Sequence, residues 1–148
     1  MTEYVKADQV YLDNPATTVD EAIDFLAEKA VDNGLSDDKA AVVDAFMKRE
    51  AMGTTGMTGG FAIPHCKSAA VNDAAIYVVK FAGPVAWESM DGKPIKAAVA
   101  LFAPDGDVHL TLLSTVATIL MNEANRAKIL AAVDGATIAG VLNSALSA

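Results

Sequence analysis

The sequence predicts an α/β fold: a single layered domain over residues 1–148, with a mixed β-sheet flanked by helices. Three observations carry this expectation. β-prone apolar runs alternate along the chain with stretches of helical periodicity. A length of 148 residues suits one compact core, and no long Pro/Ser/Gly linker or internal repeat divides it. The composition, 53% hydrophobic and 20% charged, is that of a folded chain rather than a disordered one. Alanine supplies much of the apolar share, so helices that pack closely through small residues are expected. The periodicities do not order the strands.

Each element has its own signal. Residues 9–12, "QVYL", are apolar and β-prone and predict a first strand, followed by a turn at "NPATT". Thr18 with Glu21 makes a capping box, and Ala22, Ile23, Phe25, Leu26 and Ala30 then form a helical stripe. Gly34 is the expected stop. Ser36 opens a second helix to Glu50, with Val42, Val43, Ala45 and Phe46 on or near its inner face.

Residues 51–60, "AMGTTGMTGG", hold four glycines in ten positions and predict a loop that lets backbone approach a neighbour closely. "FAIPH" then reads as a short strand. Asp73–Phe81 and Ile95–Phe102 are longer strands, separated by a segment with a turn at Asp91-Gly92. Asp107 is the expected N-cap of a helix carrying Leu110, Leu113, Val116, Ala117 and Leu120, which places His109 in its first turn. "NRAKILAAVDG" predicts a short helix closed by Gly135, and Thr137 the cap of a last one.

Charge and cysteine use exclude several classes. The net charge is −8, from 19 acidic and 11 basic residues. Nucleic-acid binding needs a basic cluster to displace counterions, and none is present. Anionic membranes are disfavoured for the same reason, and no apolar run reaches the length of a membrane span. One cysteine rules out an internal disulfide and an all-cysteine metal site. The N-terminus lacks the basic start and apolar stretch of a signal peptide, so a cytoplasmic location is expected.

Familiar chemical constellations also fail. Lys67-Ser68 follows glycines faintly as in a P-loop, but Cys66 stands where glycine must precede the lysine and Pro64 interrupts the amide cradle. There is no G-x-S-x-G elbow. His65, His109 and Cys66 are the only soft metal ligands, and neighbours 65 and 66 diverge on a strand, so neither metal nor cofactor is expected.

The two histidines remain. His65 is either a hydrogen-bonded core residue at a strand end or an imidazole presented at a surface edge by the glycine-rich loop and Pro64. His109 lies where free amides and the helix dipole favour an anion. Two histidines near such an end can bind a phosphoryl group if the fold brings them together.

The stretch "MKREAMGTTGMTGGFAIPHCK" resembles the signature of the enzyme IIA (EIIA) components of the bacterial phosphoenolpyruvate-dependent sugar phosphotransferase system, fructose/mannitol type. Arg49, Glu50, Thr55, Gly56, Gly60, Ala62, Pro64 and His65 match the family pattern. "GPVAWESMDGKPIKAAVALFAP" and "HLTLLSTVATIL" extend the likeness over nearly the whole chain. Thr58 departs from a usual glycine and Gly59 from a usual polar or acidic residue. That departure suggests that Thr55, Thr54 or backbone amides serve in place of the missing side chain.

The resemblance implies a histidine phosphocarrier. His65 would accept a phosphoryl group through Nε2 from the phosphocarrier protein HPr and pass it to a cysteine of an EIIB component during sugar uptake. His109 would stabilise the phosphoryl group, Arg49 balance its charge and Thr55 donate a hydroxyl. Glu50, Trp87 and Cys66 are expected to be structural. Phe61, Met52 and Met57 are expected to form a docking surface. Two alternatives are a regulatory EIIA of the nitrogen-related branch and a docking module that controls a partner. The sugar is not encoded in these motifs.

Overall fold

The computed structural model describes residues 5–104 and 106–146; side chains of residues 106–109 lie outside the described set. The elements in chain order are β1 (Val10–Asn14), α1 (Val19–Asp32), α2 (Lys39–Ala51), β2 (Phe61–Ala62), β3 (His65–Lys67), β4 (Ala75–Val85), β5 (Ile95–Ala103), α3 (Gly106–Met121), α4 (Glu123–Ala131) and α5 (Gly135–Leu146). A 3₁₀ turn at Ala7–Gln9 precedes β1. The expected α/β architecture, a mixed sheet between helices, is the one observed.

The sheet runs β1-β4-β5-β2, with β3 also paired to β5. β4 and β5 are antiparallel, while β1 joins β4 in parallel and β2 and β3 join β5 in parallel. β5 is central, and every residue in it except Lys96 is buried. Strand side chains alternate between two cores, as the two-residue period demands. Tyr77, Val79, Ala98, Ala100 and Phe102 face α1 and α2. Ile76, Val78, Ala97, Val99 and Leu101 face α3, α4 and α5. Ala22, Ala27 and Ala30 of α1 are fully buried, so small residues do let this helix lie close to the sheet.

Local chemistry sets the boundaries. The Thr18 hydroxyl accepts from the Glu21 N–H at 3.2 Å, while the Glu21 carboxylate accepts from the Thr17 N–H at 2.8 Å. The reciprocal arm of the capping box therefore falls one residue early. Gly34 follows α1 at φ +76, in the left-handed region where glycine carries no Cβ penalty.

Four predicted boundaries need correction. α2 is capped by Asp38, whose carboxylate accepts from the Ala41 N–H at 3.0 Å; the Ser36 hydroxyl serves the Asp38 N–H instead. α3 begins at Gly106, so Asp107 lies inside it rather than at its cap. Asp134 caps α5 through the Thr137 N–H at 2.7 Å, which puts Gly135 and Thr137 inside that helix. "FAIPH" is two short strands, because Pro64 has no N–H with which to continue the ladder.

Candidate functional site

β3 forms the sheet edge beyond β5, with His65 opposite Leu101, Cys66 opposite Phe102 and Lys67 opposite Ala103. The Pro64 carbonyl, just before β3, still accepts from the Leu101 N–H at 2.9 Å, so the proline keeps one hold on β5. Strand alternation sends Cys66 one way and His65 with Lys67 the other. Cys66 is fully buried among the α1–α2 core residues, its thiol 3.9 Å from the Val42 carbonyl. Burial pushes that thiol up to about 12, so it stays protonated and inert at neutral pH.

His65 is 5% exposed. Its Nδ1 is enclosed, so the accessible part of the ring lies on its other atoms. The ring opens onto a cavity of about 440 Å³ at the sheet edge. One wall is a stripe of α2 and its C-cap: Ala41, Asp44, Ala45, Lys48, Arg49 and Met52. Lys67 and Ser68 complete the lining. Asp44 pairs with Lys48 at 2.9 Å within this wall. Arg49 sits in the last turn of α2 and donates from Nη1 to the Gly53 carbonyl at 2.7 Å, which ties the helix end to the glycine-rich loop. His65 and Arg49 thus share one cavity.

Thr55 is placed differently. It is 5% exposed and is not among the residues lining the cavity. Its hydroxyl donates to Glu50 Oε1, its N–H donates to Glu50 Oε2 at 3.2 Å, and its carbonyl accepts from the Ile63 N–H at 3.1 Å. The Trp87 indole N–H approaches the same Glu50 oxygen at 3.4 Å. Glu50 is therefore a bracket joining α2, the glycine-rich loop and the start of the 87–94 segment. This geometry gives Thr55 an anchoring task next to the bridges that Gly56 makes to Ala62 and Ser89, instead of a free hydroxyl.

His109 is the fourth residue of α3, hence in its first turn; its side chain lies outside the described residues. α3 starts three residues beyond the end of β5, the end at which β3 pairs. The backbone thus brings the two histidine-bearing elements to one end of the sheet.

Gly59 and the docking residues come out otherwise than expected. The Gly60 carbonyl accepts from the Lys96 and Ala97 N–H groups, while His65 lies level with Leu101. Five residues of β5 separate these levels, roughly 16 Å along a strand. Residue 59 is thus remote from the imidazole. Its glycine is explained by φ +81 and by Arg126, whose Nε would stand 2.3 Å from an added Cβ. Phe61 is fully buried and Met57 packs against the α3–α5 core, so neither forms a docking surface. Met52, 83% exposed at the cavity rim, remains available.

A family model described as "Phosphoenolpyruvate-dependent sugar phosphotransferase system, EIIA 2" matches residues 3–145. The chain belongs to this EIIA family. It is thus a phosphotransferase component that carries phosphate on histidine. A curated relative from Haloferax volcanii, named "PTS system fructose-specific EIIA component", is 37% identical to this EIIA chain over 135 residues, covering 90% of the chain and 88% of the relative.

Solved structures share the EIIA fold. The nitrogen regulatory protein IIA-Ntr of Neisseria meningitidis superposes with a TM-score of 0.86 at 24% identity, covering 95% of this chain and 97% of that one. The mannitol enzyme IIA of Escherichia coli, solved in complex with phosphorylated enzyme IIB, gives 0.80 at 17% identity, covering 95% and 97%.

Lys67, weighed above only as a P-loop lysine, and Lys48 and Asp44, absent from the expected site, also line this cavity. Two signals were available: Lys67 is two residues from His65 on a strand, and Asp44, Lys48 and Met52 recur at four-residue spacing along α2.

Proposed function

We propose that His65 is the phosphoryl-carrying residue, with HPr as donor and a cysteine of an EIIB component as acceptor, in sugar uptake of the fructose/mannitol type. We place the activity in the cytoplasm and in one EIIA unit over residues 1–148. The observation that carries the proposal is the position of His65: on the sheet edge, facing an open cavity that it shares with Arg49.

The chemistry follows from the imidazole. Its neutral form has one lone pair available near pH 7 and the other ring nitrogen protonated. Enclosure of Nδ1 leaves Nε2 for the attack. The Nε2 lone pair attacks phosphorus, the donor's P–N bond breaks, and its electron pair leaves on the donor imidazole. Transfer onward repeats the displacement: a thiolate of EIIB forms an S–P bond while the Nε2–P bond breaks. Such transfers ask the protein mainly for alignment and charge stabilisation. Arg49 balances the phosphoryl charge from the α2 end. His109 is the proposed phosphoryl stabiliser, carried in the first turn of α3, where helix amides and dipole favour negative charge. Thr55 contributes by holding the loop in place. No metal or cofactor is required, no nucleic acid is engaged, and among the described residues no helix is long and apolar enough to cross a membrane.

Incubation with phosphoenolpyruvate, enzyme I and HPr tests this reading. One acid-labile, base-stable phosphoryl group per chain is expected, and it should move to an EIIB cysteine. A wild-type chain that stays unlabelled beside active donors contradicts the proposal. The likeness to the neisserial nitrogen regulatory protein favours a second reading, in which the same phosphorylation serves regulation. Labelling without transfer to any EIIB would select it.

A further inference from the structure

We propose that Lys67 is a phosphoryl-binding residue, which supplies a mobile cation to the phosphoryl group on His65. The inference rests on His65 being the carrier and adds a residue that is not among the family-pattern matches named above.

Geometry makes the first argument. His65 and Lys67 are both in β3, two residues apart, so their side chains leave the strand on the same side. Their Cα atoms are about 7 Å apart on strand geometry. A lysine stem reaches that far and can fold back along the strand edge. Both residues line the same cavity, and the residue between them, Cys66, is spent on the core.

Charge makes the second. Among the described residues, the cavity wall holds three cations, Lys48, Arg49 and Lys67, against one carboxylate, Asp44. Asp44 is already paired with Lys48. Arg49 is held to the Gly53 carbonyl. Among the described residues, no carboxylate lies within ion-pair distance of Lys67. The cavity is thus a local positive site in a chain of net charge −8. A phosphoryl group on imidazole brings about two negative charges, a load that one guanidinium only partly balances.

Exposure sets the size of the effect. Lys67 is solvent-exposed, so its contribution is screened and modest. That suits a carrier, which must release what it holds. An ammonium on a flexible stem can follow the phosphoryl group from donor to imidazole, whereas Arg49 is anchored.

Lys67→Gln and Lys67→Arg in the full chain test the proposal. Lys67 is exposed on an edge strand, so both variants keep the core intact. The first readout is the equilibrium distribution of label between HPr and this protein. Lys67→Gln should shift it toward HPr by about fivefold, Lys67→Arg should restore it to within about twofold, and added salt should shrink the difference. An equilibrium unchanged in Lys67→Gln overturns the proposal. The second readout needs no phosphodonor: NMR titration of the His65 imidazole in the unphosphorylated protein. Removing a cation nearby should raise its pKa in Lys67→Gln. A wild type that never accepts label sinks the carrier reading itself. The titration still decides Lys67 separately: a raised value supports its placement beside the imidazole, and an unmoved one overturns it.

Discussion

Thr55 and Cys66 lie near His65 in the sequence, and both turn inward. The Thr55 hydroxyl is given to Glu50, and the Cys66 thiol lies under Val42. The Pro-His strand end was legible from residue types alone, whereas Arg49 entered only through the family resemblance. The task of Thr55 was not legible, because a threonine beside a glycine signals a loop without naming its partner. Cys66 leads to a pH prediction. Its folded pKa of about 12 stands above the ordinary value of 9.0, so the folded state holds the proton more tightly. Below pH 9 both states are protonated and the stabilisation is complete; from there upward the unfolded chain ionises first and stability falls. Urea unfolding between pH 8 and pH 10 should show the wild type losing about 1 kcal/mol more than Cys66→Ala. Parallel losses in the two proteins would show that the thiol is not shielded. His109 is tested separately. His109→Ala should still accept label on His65 but hand it on at least about tenfold more slowly, measured by chase with EIIB. Transfer at the wild-type rate would remove His109 from the mechanism.

The glycine-rich loop is the element on which the site depends. It is clamped to the segment after β4: the Thr54 hydroxyl donates to the Glu88 carbonyl at 2.6 Å, Gly56 pairs with Ser89, and the Gly59 N–H donates to Asp91 Oδ2 at 3.0 Å. A Cβ on Gly56 would fall 2.0 Å from the Glu88 carbonyl oxygen, a backbone atom that has no side-chain freedom to retreat. Gly56→Ala should therefore destabilise the protein by about 2–3 kcal/mol in thermal unfolding, through displacement of the loop from its partner segment. A wild-type melting curve would show that the approach is not close. Composition had marked this loop as a place of close backbone approach, but not what it approaches. The helix starts were legible to within a few residues. Asp38 and Asp134 replaced the expected caps because serine, threonine and aspartate compete for the same backbone N–H groups, and only the turn geometry decides among them.

At the scale of the molecule, the alternation of strands and helices revealed the α/β class but not the order of the sheet. β1 joins β4, and β2 and β3 join β5, across long stretches of intervening chain. Such parallel pairings leave no local mark in the sequence. They are nevertheless what creates the site, because they bring the edge strand carrying His65, the end of α2 carrying Arg49 and the start of α3 carrying His109 to one end of the sheet. The chain as a whole is acidic, while the described lining of the cavity is cationic; the proposed docking of a basic partner would be speeded by the former. Diffusion and chemistry are thus served by charges of opposite sign. The central claim is that one residue carries the phosphoryl group. Peptide mapping of the chain labelled by phosphoenolpyruvate, enzyme I and HPr tests it most directly. All label should fall on His65, and His65→Ala should take up none; label on any other residue, or undiminished labelling of His65→Ala, would contradict the account.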